Sequence, residues 1–118
     1  LTIEHYFKTS EEMEKLFAYG TLKDKDIQET IFGRILTGTP DTLTGYAIQE
    51  ITIEEEFGME LYPIIIATQN PMDRIDGILY ELSEKEIQLA DTYEGLHYKR
   101  IEVELHSNEI VWVYSAKV

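Results

Sequence analysis

The sequence contains no cysteine. This excludes a disulfide framework, a thiol nucleophile and any metal site with a thiolate ligand. A chain free of thiols fits a reducing compartment, and a cytoplasmic location is expected. Long apolar runs are also missing: nothing approaches the roughly 20 consecutive apolar residues of a membrane-spanning helix, and residues 1–10 lack the basic-then-apolar pattern of a secretory leader. Positive charge is scarce. Only 10 basic residues stand against 23 acidic ones, a net charge of −13, which argues against nucleic acid and anionic membranes as partners. The ordinary consequence of such a balance is solubility, and a small cationic ligand is compatible with it. There is no glycine-rich phosphate loop, zinc signature or Ser/His/Asp order. The histidines are scattered. His97 could join Glu94 and Asp91 in a metal-dependent hydrolase, but no further ligand stands at metal-site spacing, so neither a metal nor a cofactor is expected.

With 118 residues, 43% of them hydrophobic, the chain is long enough for one domain with a core of its own. Residues 1–15 are polar and read as an N-terminal extension, or a short helix capped by Ser10; the domain proper spans 16–118. Residues 16–19 form the first buried strand, ending abruptly at Gly20. Asp24 or Asp26 caps a short helix over residues 27–32, which Gly33 stops. The turn formers over residues 37–41 suggest a loop. Residues 43–53 read as one long strand with a bulge at Gly45. Residues 54–58 are a charged turn, and residues 62–68 an apolar strand whose Pro63 demands a strand start or an edge. Residues 75–82 form a strand with Gly77 inside it, a sign that a backbone or a ligand comes close. Ser83 and Glu86 make a capping box for a helix running to about Tyr93 and ended by Gly95. Residues 99–106 alternate, with Ile101, Val103 and Leu105 on one side, and Ser107-Asn108 turns the chain into a hairpin partner over 110–114.

About six strands and two short helices follow from these patterns. The expected fold is α+β: a mixed, partly closed β-barrel with flanking short helices. Trp112 and the tyrosines read as core and cross-strand packing residues.

Two stretches carry chemistry. The apolar strand ending at Tyr19-Gly20-Thr21-Leu22 leaves backbone N–H groups facing open space, where they can hold a carboxylate or a carbonyl oxygen. In the helix over residues 84–93, Ile87, Ala90 and Glu94 share a face, so Glu94 ends that face inside or beside a cleft. Asp91 and Glu94 both lie near the helix C-terminus, against the dipole, which raises a carboxyl pKa as burial does.

The two stretches belong to an ordered set: Leu16-Phe17-Ala18-Tyr19-Gly20-Thr21-Leu22, Ile27-Gln28, Phe32-Gly33-Arg34, Gly38-Thr39-Pro40, Leu43-Thr44-Gly45-Tyr46, Tyr62-Pro63, Asp76 to Leu82, Leu89 to Gly95, Tyr98-Lys99-Arg100 and Val113-Tyr114. With this set the chain resembles the γ-glutamylcyclotransferase-like superfamily, in its small bacterial AIG2-like branch. The resemblance covers nearly the whole domain. It implies a pocket at one end of the barrel and a small-molecule γ-glutamyl substrate, whose glutamyl part is bound by Tyr19, Gly20, Thr21 and Leu22. It implies that Glu94 is the catalytic acid/base and Tyr98 a pocket residue. The implied reaction is intramolecular aminolysis, releasing 5-oxoproline and an amine. A non-enzymatic ligand-binding or protein-interaction module on the same fold is the alternative, and the oligomeric state stays open.

Overall fold

The run Leu16-Phe17-Ala18 shows no polar alternation because its strand is covered on both faces. In the computed structural model, which describes residues 13–117, these residues lie in β1 (Glu14–Ala18). The other elements are α1 (Lys25–Phe32), β2 (Gly38–Thr44), β3 (Tyr46–Glu55), β4 (Gly58–Ala67), β5 (Arg74–Leu82), α2 (Glu84–Glu94), β6 (Tyr98–Glu104) and β7 (Ile110–Ala116). The helix proposed after Ser10 lies outside the described residues. Five strands form one sheet in the order β2-β5-β1-β7-β6, and β3 pairs with β4 as a separate ribbon. The five-stranded sheet is mixed: β1 runs parallel to β7, whereas its other neighbour β5 is antiparallel.

As the middle strand, β1 feeds two cores from alternate residues. Leu16 and Ala18 pack with Leu22, Leu36, Leu82, Ile87 and Ala90 on the helical side. Phe17 points the other way, among Leu43, Ile65, Val111 and Val113. Burying a side chain such as Leu16 or Phe17 contributes about 1.5–3 kcal/mol. Gly77 makes the close approach of β5 possible. A Cβ at that position would lie 2.5 Å from the Ala18 carbonyl oxygen and 2.6 Å from the Phe17 ring. The interior glycine thus has the neighbouring-backbone explanation expected of it.

The α+β architecture agrees with the sequence patterns, with seven strands in place of about six. The sheets do not close into a barrel, but the edges of the large sheet converge at one end. There the His106 N–H donates to the Thr42 carbonyl at 2.8 Å and the Ser107 hydroxyl to Asp41 at 2.5 Å. Two local expectations need correction. The turn formers over 37–41 are mostly strand: β2 begins at Gly38, and it accommodates Pro40 because it lies at the sheet edge. The long strand over 43–53 is broken at Gly45, whose φ of 80° turns the chain out of the large sheet into the ribbon.

Both helix starts obey their local chemistry. Asp24 caps α1, accepting from the Asp26 and Ile27 N–H groups at 2.8 and 3.2 Å. Ser83 and Glu86 form the reciprocal capping box of α2. Glu86 also receives a two-point ion pair from Arg34, at 2.7 and 2.9 Å, so the segment after α1 is tied to the start of α2.

Candidate active site

The strand β1 delivers its end into a tight 3-10 turn, Thr21–Lys23. Its closing bonds run from the Lys23 N–H to the Gly20 carbonyl and from the Asp24 N–H to the Thr21 carbonyl, at 3.2 and 2.9 Å. The N–H groups of Gly20, Thr21 and Leu22 precede the first of these bonds and have no partner within the turn. A Cβ on Gly20 would meet nothing within 4 Å, so the turn is open on that side.

A buried amide supports this turn from beneath. Gln28 of α1 is 1% exposed. Its Nε2 donates to the Leu22 carbonyl at 2.8 Å, and its Oε1 accepts from the Leu36 N–H at 2.8 Å. A buried side-chain amide satisfied at both ends fixes the peptide plane it touches. Nothing in the sequence period singled out Gln28, because its partners are carbonyl and amide groups of irregular segments.

Opposite the turn stands the end of α2. Ile87 and Ala90 are buried in the helical-side core, and Glu94, on the same face, enters a cleft of about 610 Å³. The cleft is lined by Tyr19, Gly20, Thr21 and Leu22 from the turn, Glu94 and Tyr93 from α2, and Tyr98 from β6. Every site residue expected from the sequence therefore borders one hollow. Leu61, Tyr62 and Pro63 of the ribbon, Tyr114 of β7, the end of β1 and Lys23 complete its wall. Five of the tyrosines border this cleft, and three of them, Tyr19, Tyr98 and Tyr114, also pack in or against the two cores as expected; an aromatic ring in a strand has the same period whether it faces a core or a cavity.

Burial raises the Glu94 carboxyl from its usual 4.5 to about 7, and no described neighbour offsets the rise. Its charge is felt by three phenols around it, Tyr19, Tyr98 and Tyr114. Burial, then the Glu94 charge, pushes Tyr98 up to about 12. Tyr19 is raised by burial and then by the charges of Tyr98 and Glu94. Tyr114 is raised first by burial and next by its hydrogen bond to Asp91. All three stay neutral O–H groups near pH 7. Each phenol is also anchored: Tyr19 donates to the Tyr114 carbonyl at 2.8 Å, Tyr98 to the Pro63 carbonyl at 2.7 Å, and Tyr114 to Asp91 at 2.8 Å.

Asp91 does not border the cleft that Glu94 enters. Arg100 holds both its oxygens, at 2.7 and 3.1 Å, and stacks on Trp112 at 4.7 Å. His97 lies 3.6 Å from Glu55 and against the Tyr62 ring. Two of the three side chains of the metal-hydrolase reading, Asp91 and His97, are thus engaged away from Glu94, and no group of metal-ligating side chains occurs among the described residues. No described helix is long and apolar enough to cross a membrane. The arrangement provides one carboxyl poised to exchange a proton near neutrality, facing a turn with open N–H donors, inside aromatic walls.

A family model described as "Gamma-glutamyl cyclotransferase, AIG2-like" matches residues 16–118. Solved structures share the fold. A solution structure from Arabidopsis thaliana matches with a TM-score of 0.71 at 22% identity, over 89% of this chain and 62% of that one. A structure titled "Gamma-glutamyl cyclotransferase" gives a TM-score of 0.69 at 15% identity, over 90% and 68%. An uncharacterized protein from Homo sapiens gives 0.72 at 17%, over 91% and 68%. This chain spans less than two thirds of the Arabidopsis protein. No curated protein matches it in sequence.

Proposed function

We propose, from the premise that this chain belongs to the gamma-glutamyl cyclotransferase, AIG2-like family, that it cyclises a γ-glutamyl amine or peptide to 5-oxoproline and releases the amine. The observation that carries this reading is Glu94: a carboxyl raised to about 7, in a cleft also bordered by the open turn at Gly20.

The substrate supplies its own nucleophile, so the protein needs no serine or cysteine for attack. The turn N–H groups of Gly20, Thr21 and Leu22 hold the glutamyl carboxylate or the carbonyl oxygen as it gains charge. The folded substrate brings its α-nitrogen to its γ-carbonyl, an orientation that can supply about 7–11 kcal/mol of the barrier. Glu94 takes a proton from the α-ammonium. The freed nitrogen bonds to the γ-carbon, the C–N bond to the leaving group breaks, and Glu94 returns the proton to the departing nitrogen. In total two protons leave the attacking nitrogen and two reach the leaving one, which departs as an ammonium. A carboxyl titrating near 7 suits both halves of this exchange. The neutral phenols of Tyr19 and Tyr98 add fixed dipoles around it without competing as bases.

The test is a mass-spectrometric screen of γ-glutamyl amines and dipeptides for 5-oxoproline and free amine. Formation of both, lost in Glu94→Gln, supports the proposal. Ligand-induced melting shifts with no product from any compound would favour the binding-module alternative and overturn the enzymatic reading.

A further inference from the structure

One contact at the cleft has no part in the scheme above. The Tyr93 hydroxyl and the Thr21 hydroxyl are 2.7 Å apart, joining residues 72 positions apart in sequence. Thr21 belongs to the turn and Tyr93 directly precedes Glu94, so this one bond spans the two stretches that border the cleft. Tyr93 is 39% exposed, and Thr21 is exposed as well. The bond therefore sits at the open side of the hollow, not within its packed floor.

A count of hydrogens gives the pair its meaning. Two hydroxyls carry two hydrogens, and a single bond between them uses one. Whichever oxygen donates, the pair keeps one free O–H, polarised by the bond its partner makes. We propose that Thr21 and Tyr93 act together as a specificity-determining pair for the glutamyl half of the substrate, presenting that one O–H to its carboxylate beside the turn N–H groups. This rests on the proposed function and extends it from the backbone of the turn to two side chains. The glutamyl half is the one addressed because Thr21 is itself part of the turn assigned to it. A hydroxyl that reads a carboxylate favours substrates that carry one, since an analogue lacking it forgoes a hydrogen bond to a charged group.

The pair also predicts a form of non-additivity that a simple structural tie does not. In Tyr93→Phe the Thr21 O–H remains, and in Thr21→Val the Tyr93 O–H remains. Each single variant keeps one donor and loses only its orientation. The double variant loses the donor itself. A tie that merely braces the turn against α2 is broken completely by either change, so the second change would add nothing.

The experiment measures kcat/KM for a γ-glutamyl amine, and the Kd of 5-oxoproline by calorimetry, in the wild type, both single variants and the double variant. Each single variant should lose about 2–5-fold in both quantities. The double variant should lose about 30-fold or more, beyond the product of the singles, as befits a hydrogen bond to a charged group. Thermal midpoints of all four proteins are compared first, and a variant that melts early is read by Kd at a temperature where it is folded. A double variant equal to the singles, or all four proteins alike, overturns the proposal while leaving the cyclotransferase reading intact. A wild type that neither turns over a γ-glutamyl amine nor binds 5-oxoproline overturns that reading, and this inference with it.

Discussion

Replacing Glu94 with glutamine keeps the side-chain shape and removes its charge, so it separates the two roles of this residue. A rise from the usual 4.5 to about 7 corresponds to at most about 3 kcal/mol between the two protonation states. The folded-state pKa lies above the unfolded one. The native protein therefore holds a proton through this window that the unfolded chain has already lost. The Glu94 contribution to wild-type stability falls as pH rises from about 4.5 to about 7 and levels off above it. Below the window both carboxyls are neutral and the glutamine is nearly isoenergetic. Glu94→Gln should thus be as stable as wild type near pH 4 and more stable by up to about 3 kcal/mol at pH 8. Urea unfolding of both proteins at several pH values measures this directly, because all other ionisable groups are common to the pair. In the same variant kcat should drop about 10²–10⁴-fold, the usual worth of one acid–base group. Parallel stability curves across the whole range would refute the burial argument. Retained turnover would refute the assignment of Glu94.

Further outcomes follow from the same geometry. The wild-type kcat/KM should rise with unit slope on the acid side and level off near pH 7, since only the ionised Glu94 can take the α-ammonium proton; an inflection at an ordinary carboxylate pKa would contradict this. Gln28→Leu strands the Leu22 carbonyl and the Leu36 N–H inside the protein and should cost about 2–5 kcal/mol in urea unfolding, with KM raised at residual activity because the turn loses its support. Gly77→Ala forces a Cβ against the Ala18 carbonyl; a contact with backbone cannot relax cheaply, and the thermal midpoint should fall by roughly 5–15 °C.

Much of this molecule is written in local patterns. The caps at Asp24 and Ser83 are side-chain contacts spanning two or three residues, so they are visible in any short window. The same holds for the alternation of β6 and for the helical spacing that sets Glu94 on the face of Ile87 and Ala90. The need for a glycine at 77 was legible as a close approach, though not what approaches. Other features were misread locally for a physical reason. Pro40 and its neighbours look like a loop because turn formers and edge-strand residues share a composition, and only the presence of a pairing partner on one side, here β5, separates them. Gly45 looks like a bulge because the sequence does not say that the next strand leaves for another sheet.

Sequence alone determined the apolar strand into a glycine turn, the capped helix ending in a carboxylate, and the ordered motif set that marks the family. Tertiary structure decided what those pieces meet. It set five tyrosines around one hollow, a buried amide under the turn, Arg100 on Asp91 rather than near Glu94, and a hydroxyl bond between residues 72 apart. Periodicity reports which face of an element a residue occupies. It carries no information about which distant element covers that face or whether it is left facing a cavity, and that covering is what raises the pKa of one glutamate among many.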